Sequence, residues 1–369
     1  MATLKNTNIN DTGFLKLPVG TTAERPASPL TGSMRYNTST SALEIHLSGR
    51  WQQVSVSNYP VLVDYLVVAG GGGGGWADGG YISGGGGAGG LRSTVTATGG
   101  EGQLETPLTL NKNTNYNIVV GSGGAVGTSI LNGVQGGNSV FSTITSIGGG
   151  GGGFGVAGSS GNGTTGGSGG GAGCQNTLAG DTLGSLGTTN QGFPGGSGRN
   201  RNGNTANMHG GGGGGAGQVG TSGTNTVLGT GGNGVQVGIN GITPIPYYAG
   251  GGGGGSASGG SPLGGLGGGA RGNDGSGLTM LPGVINTGGG GGGGQNSNTG
   301  AGGSAGGSGI VIISYSDTNG NVIIPNTLQF LNSSGSKVAG TGVAVAPTRI
   351  VNNKKIYEFL EGSGNIQFS

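Results

Sequence analysis

Residues 65–75 read YLVVAGGGGGG, an apolar β-rich tetrapeptide, one alanine and then six glycines. Pure glycine runs recur at 148–153, 210–215, 250–255 and 288–294. Four of the five runs have one length, and the last is one residue longer. A flexible linker has no reason to repeat a length, whereas a packed layer of fixed thickness does. The conformation that fits is polyproline-II-like, called polyglycine II when the residues are glycine. It has three residues per turn and rises about 3.1 Å per residue, so six residues span roughly 19 Å. Its N–H and C=O groups point sideways and must be met by neighbouring segments. Close lateral packing then leaves no room for a Cβ.

Glycine makes up 103 of the 369 residues and proline 12. Such a composition ordinarily signals collagen or low complexity. Collagen is excluded because the glycines stand in blocks, not at every third position. Disorder driven by charge is excluded by a net charge of +2 with only 7% charged residues. Fourteen Lys and Arg spread over the chain make no electrostatic footprint for nucleic acid. The longest apolar stretches fall far short of the roughly 20 residues of a membrane span. The opening MATLKNTNIND has no basic segment followed by an apolar one, which predicts a soluble chain made without a leader.

Glycine is concentrated in residues 70–309, and charge avoids the same zone. Between 113 and 309 the charged side chains are Asp181, Arg199, Arg201, Arg271 and Asp274. A second set of runs is diluted with Ala and Ser: 84–90, 166–173, 264–270, 300–309 and, more weakly, 231–234. These suit outer helices with one side in solvent. Pure and diluted runs alternate, which predicts a two- or three-layer sandwich of about ten short helices running up and down. Connectors from pure to diluted runs are short and would gather at a free tip. The longer ones would gather with the flanking β segments.

Strand signals surround the glycine. Leu91–Ala97, Thr106–Leu110, Tyr116–Val120 and Ser139–Ile144 are short β-rich runs inside an insert at 91–147, and Ile310–Tyr315 reads IVIISY. In the amino-terminal segment, Leu43, Ile45 and Leu47 alternate with Glu44 and His46, predicting a hairpin with an apolar buried face and a solvated His46. Short strands at 328–331, 349–351, 356–360 and 366–368 are split by SSGS, NN and EGSG turns. The expected fold is all-β plus polyglycine II. Its domains are a β-rich segment at 1–57, a glycine sandwich at 58–315 on a β base, and a small β domain at 316–369.

No catalytic, cofactor or metal constellation is legible, and an enzyme is not expected. His209 has no Cys/Asp/Glu set beside it, and Cys174 has no base and reads as an inert thiol. Asp181 and Asp274 do not form an acid–base pair. Function is then expected in the loops. The candidate binding residues are Trp76, Tyr81 and Phe154 in the short connectors, and Phe193, Arg199 and Arg201 in the long ones. GLTMLPG at 277–283 adds Leu278, Met280 and Leu281. Trp, Tyr, Phe and Arg are common anchors of binding surfaces. The competing reading is that these side chains cap the open ends of the array.

Residues 13–54, GFLKLPVGTTAERPASPLTGSMRYNTSTSALEIHLSGRWQQV, resemble a segment of bacteriophage tail-fibre and other virion proteins. YLVVAGGGGGG and GGSGIVIISY look like the glycine-rich modules of phage fibres, and are similar in principle to polyglycine-II sandwich adhesins at fibre tips. The resemblance implies a virion structural protein. It would attach to other virion proteins through residues 1–57, as a homotrimer, and display loops to a host surface glycan or outer-membrane protein. It implies no cofactor, no nucleic acid and no membrane insertion. A purely structural virion component, such as a capsid decoration, collar or head fibre, is the alternative. A flat ice-binding face is disfavoured, because it wants regular Thr or Ala.

Overall fold

The computed structural model describes residues 17–54, 60–175, 180–200, 207–257, 259–277, 279–295 and 302–369. It divides into two compact units, Met1–Tyr59 and Pro60–Ser369. Secondary structure is all-β, with two one-turn 3-10 segments at Thr22–Glu24 and Gly99–Glu101.

The first unit is a four-stranded sheet in the order Val19–Gly20, Met34–Asn37, Ala42–Leu47, Arg50–Gln53. The hairpin is present, but its faces are inverted relative to expectation. Glu44 and Asn37 are fully buried and His46 is 8% exposed, whereas Met34 and Tyr36 are each 40% exposed. The polar side is largely paired within itself, although Arg35 Nη1, His46 Nδ1 and Trp51 Nε1 are buried without a protein hydrogen-bond partner. Arg25 pairs with Glu44, and Asn37 Nδ2 donates to Glu44 Oε1 at 2.8 Å. Arg35 donates to the Thr21 carbonyl and lies over the Trp51 ring, which also packs on His46. The Arg25 guanidinium holds the Glu44 carboxyl below the usual carboxylate range.

The second unit is built on a twisted sheet. Its spine is an incoming strand, Val61–Val68, an outgoing strand, Ile310–Ser316, and a terminal strand, Lys354–Phe368. Ile310 faces Val68, and Val311 faces Phe359. Both apolar runs are buried on two faces, which is why they do not alternate. Val61, Val63, Tyr65, Val67, Val311, Ile313, Tyr357 and Phe359 enter one core. Leu66, Val68, Ile310, Ile312 and Ile356 enter the other.

The separate carboxy-terminal domain expected at 316–369 is not found. The terminal strand pairs first with the outgoing strand, then with Tyr116–Val119, where Gly364 faces Ile118. It thereby completes a core shared with residues 61–67. The EGSG turn expected within it is absent: the strand runs on through it, with a bulge at Leu360 opposite Gln329/Phe330 and with Gly362, at φ +95°, facing Leu328. The expected insert strands join the same sheet, as Leu91–Ser93, Leu108–Leu110, Tyr116–Val119 and the hairpin Ser139–Phe141/Ile144–Ser146.

From one end of this base rise the glycine segments. Residues 69–75 continue the incoming strand, and 302–309 lead into the outgoing one. Their hydrogen bonding repeats every three residues. Gly70 and Gly73 donate to Gly137 and Val134, Gly71 and Gly74 to Gly307 and Ser304, and Gly72 and Gly75 to Gly87 and Gly84. The same period appears in the packing. A Cβ on Gly70 or Gly73 would lie 1.9 Å from the carbonyl oxygen of Ser122 or Ala125. One on Gly72 or Gly75 would lie 2.2 or 2.1 Å from that of Gly150 or Gly153. Each glycine thus gives its N–H to one neighbour and presses its Cα–H on the carbonyl of another.

The arrangement is concentric, not a layered sandwich. Residues 84–90 form the axis. They donate to Gly153, Gly150 and Ile147, to Gly211 and Gly214, and to Gly291 and Gly288, at 2.7–3.0 Å. They accept from Ala69, Gly72 and Gly75, from Ser168 and Gly171, and from Gly252. The inner ring is therefore 69–75, 148–153, 166–173, 210–216, 249–255 and 288–294, in chain order. A second ring surrounds it: 121–127, 133–137, 161–164, 183–188, 192–197, 218–223, 229–234, 262–266, 268–272, 283–284 and 302–309. Backbone bonds link its members, for example Val134 to Ala125, Gly163 to Leu183, Gly195 to Ser185, Gly220 to Pro194, Thr221 to Thr230 and Gly231 to Leu263. A hydrogen bond from Asn132 Nδ2 to the Asn162 carbonyl joins two more. Gly306 to Gly124 closes the ring.

Dilution with Ala or Ser marks partly exposed outer segments at 231–234, 264–270 and 302–309, but not in the other two runs. Runs 84–90 and 166–173 are wholly buried. The one methyl on the axis, Ala88, sits in the apolar cluster of the base with Leu66, Leu91 and Tyr248. Strict up-and-down alternation also fails. Gly150 and Gly153 donate to Ser168 and Gly171, so those two inner segments run parallel. The return leg 161–164 lies in the connector between them. Run 264–270 is not one helix but a reversal at Gly267 and Gly268, whose φ of +99° and +94° only glycine adopts readily.

Candidate functional site

Every segment rising from the base ends at the opposite tip. There Ala77, Gly155, Cys174, His209, Ser256 and Gln295, the residues just beyond the ends of the inner-ring segments, gather about Ile82, two residues before the axis. Ile82 bridges to Cys174 and Gln295, Ala77 to Gly155, and His209 to Ser256. Ile82, Cys174 and Met208 make a small apolar cap with Tyr81 against it. Burial pushes the Cys174 thiol up to about 12, consistent with an inert group. His209 is 3% exposed, and burial lowers its imidazole below the ordinary value. Its Nδ1, Ser256 Oγ and Gln295 Oε1 are buried without a protein hydrogen-bond partner. Among the described residues, no three His, Cys, Asp or Glu side chains converge as a metal site.

The sequence candidates divide between the two ends. Trp76, Tyr81, Phe154 and Arg199 lie at the tip. Trp76 follows the inner segment 69–75, and its ring lies 3.0 Å from where a Cβ of Gly302 would be. Phe154 covers Gly161 in the same way, at 2.6 Å, and Tyr81 covers Gly79 at 3.2 Å. Each of the three rings is half-buried. Glycine offers no side chain, so a flat ring seats directly on its backbone. Arg199 is exposed on a two-residue strand, opposite Asp181. Met280 lies over Gly292 and Leu281 is exposed.

Phe193 is not at the tip. Its N–H donates to Gly215 and its carbonyl accepts from Gly169, which places it at the base end. The long connector 174–209 starts and finishes at the tip and reaches the base only in the middle. Long and short connectors are therefore not segregated as expected. Arg201 and Leu278 lie outside the described residues. The grouping of Ser256 and Gln295 with His209 was not legible in the sequence. Its only signal was position, since each abuts a pure glycine run.

The period-three ladder and the Cβ-excluding contacts are the properties of one glycine-built module. A family described as glycine-rich domain matches residues 48–316. The chain belongs to this glycine-rich domain family. No curated protein and no solved structure matches it significantly. The matched span runs from the end of the first unit through the outgoing strand. The terminal strand, which completes the core of the glycine-rich domain here, falls beyond it.

Proposed function

We propose that the glycine segments are polyglycine-II helices and that the protein is a bacteriophage tail fibre or adhesin. The polyglycine-II reading rests on the three-residue hydrogen-bond period and on backbone contacts that leave no room for a Cβ at the glycines of the runs. The virion reading rests on the resemblance of residues 13–54 to fibre proteins. The bundle acts as a rigid, non-enzymatic platform. Residues 1–57 join it to other virion proteins as a homotrimer. The tip, with Trp76, Tyr81, Phe154 and Arg199, meets a host surface glycan or outer-membrane protein. The observation that carries this reading is the gathering of three half-buried aromatic rings at the end away from the base sheet. Such rings offer one face to the bundle and one outward.

The seating of the same rings on glycine favours a second reading, a purely structural virion component whose aromatics are caps. Adding purified protein to host cells before infection separates the two. An adhesin binds the cells and blocks phage adsorption. A protein that does neither is structural.

A further inference from the structure

A polar cleft of ≈ 550 Å³ lies beside the base sheet, between residues 103–106 and 189–191. Its volume falls in the range of small-molecule clefts, about 300–1,000 Å³. Arg92 and Glu105 form part of its wall. They make a fork pair in which Arg92 Nη2 donates to Glu105 Oε2 at 2.9 Å and Nε donates to Oε1. The buried Tyr65 hydroxyl donates to Glu105 as well, and Arg92 Nη1 donates to the Thr145 carbonyl. The pair is thus held from behind by the core of the sheet. Two of the five guanidinium N–H donors and part of the carboxylate's acceptor capacity remain for another molecule.

Gln103, Leu104, Thr106, Thr189 and Asn190, all exposed, and the buried Gln191 complete the walls. Gln103 and Asn190 each present a planar amide with donors and an acceptor. Leu104, 49% exposed, supplies an apolar contact beside them. A fixed donor next to a fixed acceptor matches two neighbouring hydroxyls, one accepting and one donating. Because Arg92 and Glu105 neutralise each other, the cleft selects no net charge.

We propose that this cleft binds a neutral saccharide, with Arg92 and Glu105 on a vicinal diol and Gln103, Leu104 and Asn190 around the ring. The site is separate from the tip and does not depend on what the tip contacts. The test is saturation-transfer NMR of the full chain with lactose, maltose and N,N′-diacetylchitobiose, each up to about 10 mM, the weak-binding range. At least one should saturate. Gln103→Ala and Asn190→Gly should each weaken it tenfold or more at unchanged melting temperature. Glycine at 190 keeps the left-handed backbone that Asn190 adopts at φ 59°. Trp76→Ala should leave this binding intact, so its failure is distinct from failure of the tip reading. Saturation by none of the three overturns the proposal. So does binding that survives both cleft substitutions, or a tenfold preference for 3′-sialyllactose over lactose.

Discussion

Gly151 and Gly133 approach so closely that a Cβ on Gly151 would lie 1.7 Å from the Gly133 carbonyl oxygen. Both atoms belong to backbone already held in the ladder, where Gly133 donates to Gly152. Neither can retreat without breaking bonds to further neighbours. Gly151→Ala should therefore cost at least about 3 kcal/mol, the upper range for overpacked cores. Gly238 is the control, since a Cβ there meets nothing nearer than Thr96 Oγ1 at 3.5 Å. Gly238→Ala should stay within about 0.5 kcal/mol of the wild type. Equal melting temperatures for the two variants would show that the bundle is not packed this way.

The tip aromatics carry a second prediction. Trp76 lies across Gly302, with the Val126 methyl nearby. Removing its half-buried ring should cost about 2 kcal/mol at the usual area coefficient. If Trp76→Ala melts as the wild type does, the ring is no cap and its role is in recognition alone. Retained stability with lost cell binding would point the same way.

These two sites show what was legible in the sequence. Equal glycine blocks follow from a fixed bundle height, so the array could be read from run lengths. The strands at 61–68 and 310–316 could be read from the apolar runs Tyr65–Val68 and Ile310–Ile313 within them. The second ring could not. Segments such as 183–188 and 218–223 need only one face without side chains, so Leu, Thr and Gln occupy the others and hide the pattern. Leu183 and Leu186, 61% and 68% exposed, show the three-residue period on that outer face. The direction of each segment was also hidden, because glycine runs read the same both ways. The inverted first unit was misread because Glu44 and His46 look solvated until Arg25, Asn37 and Trp51 are seen beside them.

His209 gives the tip a pH dependence. Burial among Met208, Ser256 and Ile82 lowers its imidazole from the ordinary 6.5, so the folded chain takes up the proton less readily than the unfolded one. The associated stability is complete above about pH 6.5 and drains away as pH falls through the depressed folded value. The melting temperature should drop between about pH 7.5 and pH 5.5, and His209→Gln should shrink that drop. An identical drop in the variant would assign it to other groups.

The first unit makes its own prediction, because its two faces have opposite character. Glu44→Leu removes one of the two acceptors of Asn37 Nδ2, leaving Thr22 Oγ1, and the partner of Arg25. Leaving one buried Asn37 N–H and the Arg25 guanidinium without this partner should cost the unit about 1–3 kcal/mol. The other face behaves differently. Val19 faces Tyr36, Tyr36 faces Leu43, and Met34 faces Ile45. They form an apolar patch on a unit too small to bury a second core. If this patch joins copies of the chain, Leu43→Ser and Met34→Ser should leave folding of the unit nearly unchanged. Its assembled mass by light scattering should then fall to that of a monomer. A wild type already monomeric at working concentration would remove self-association from the account. The inversion of polar and apolar faces would then need another partner.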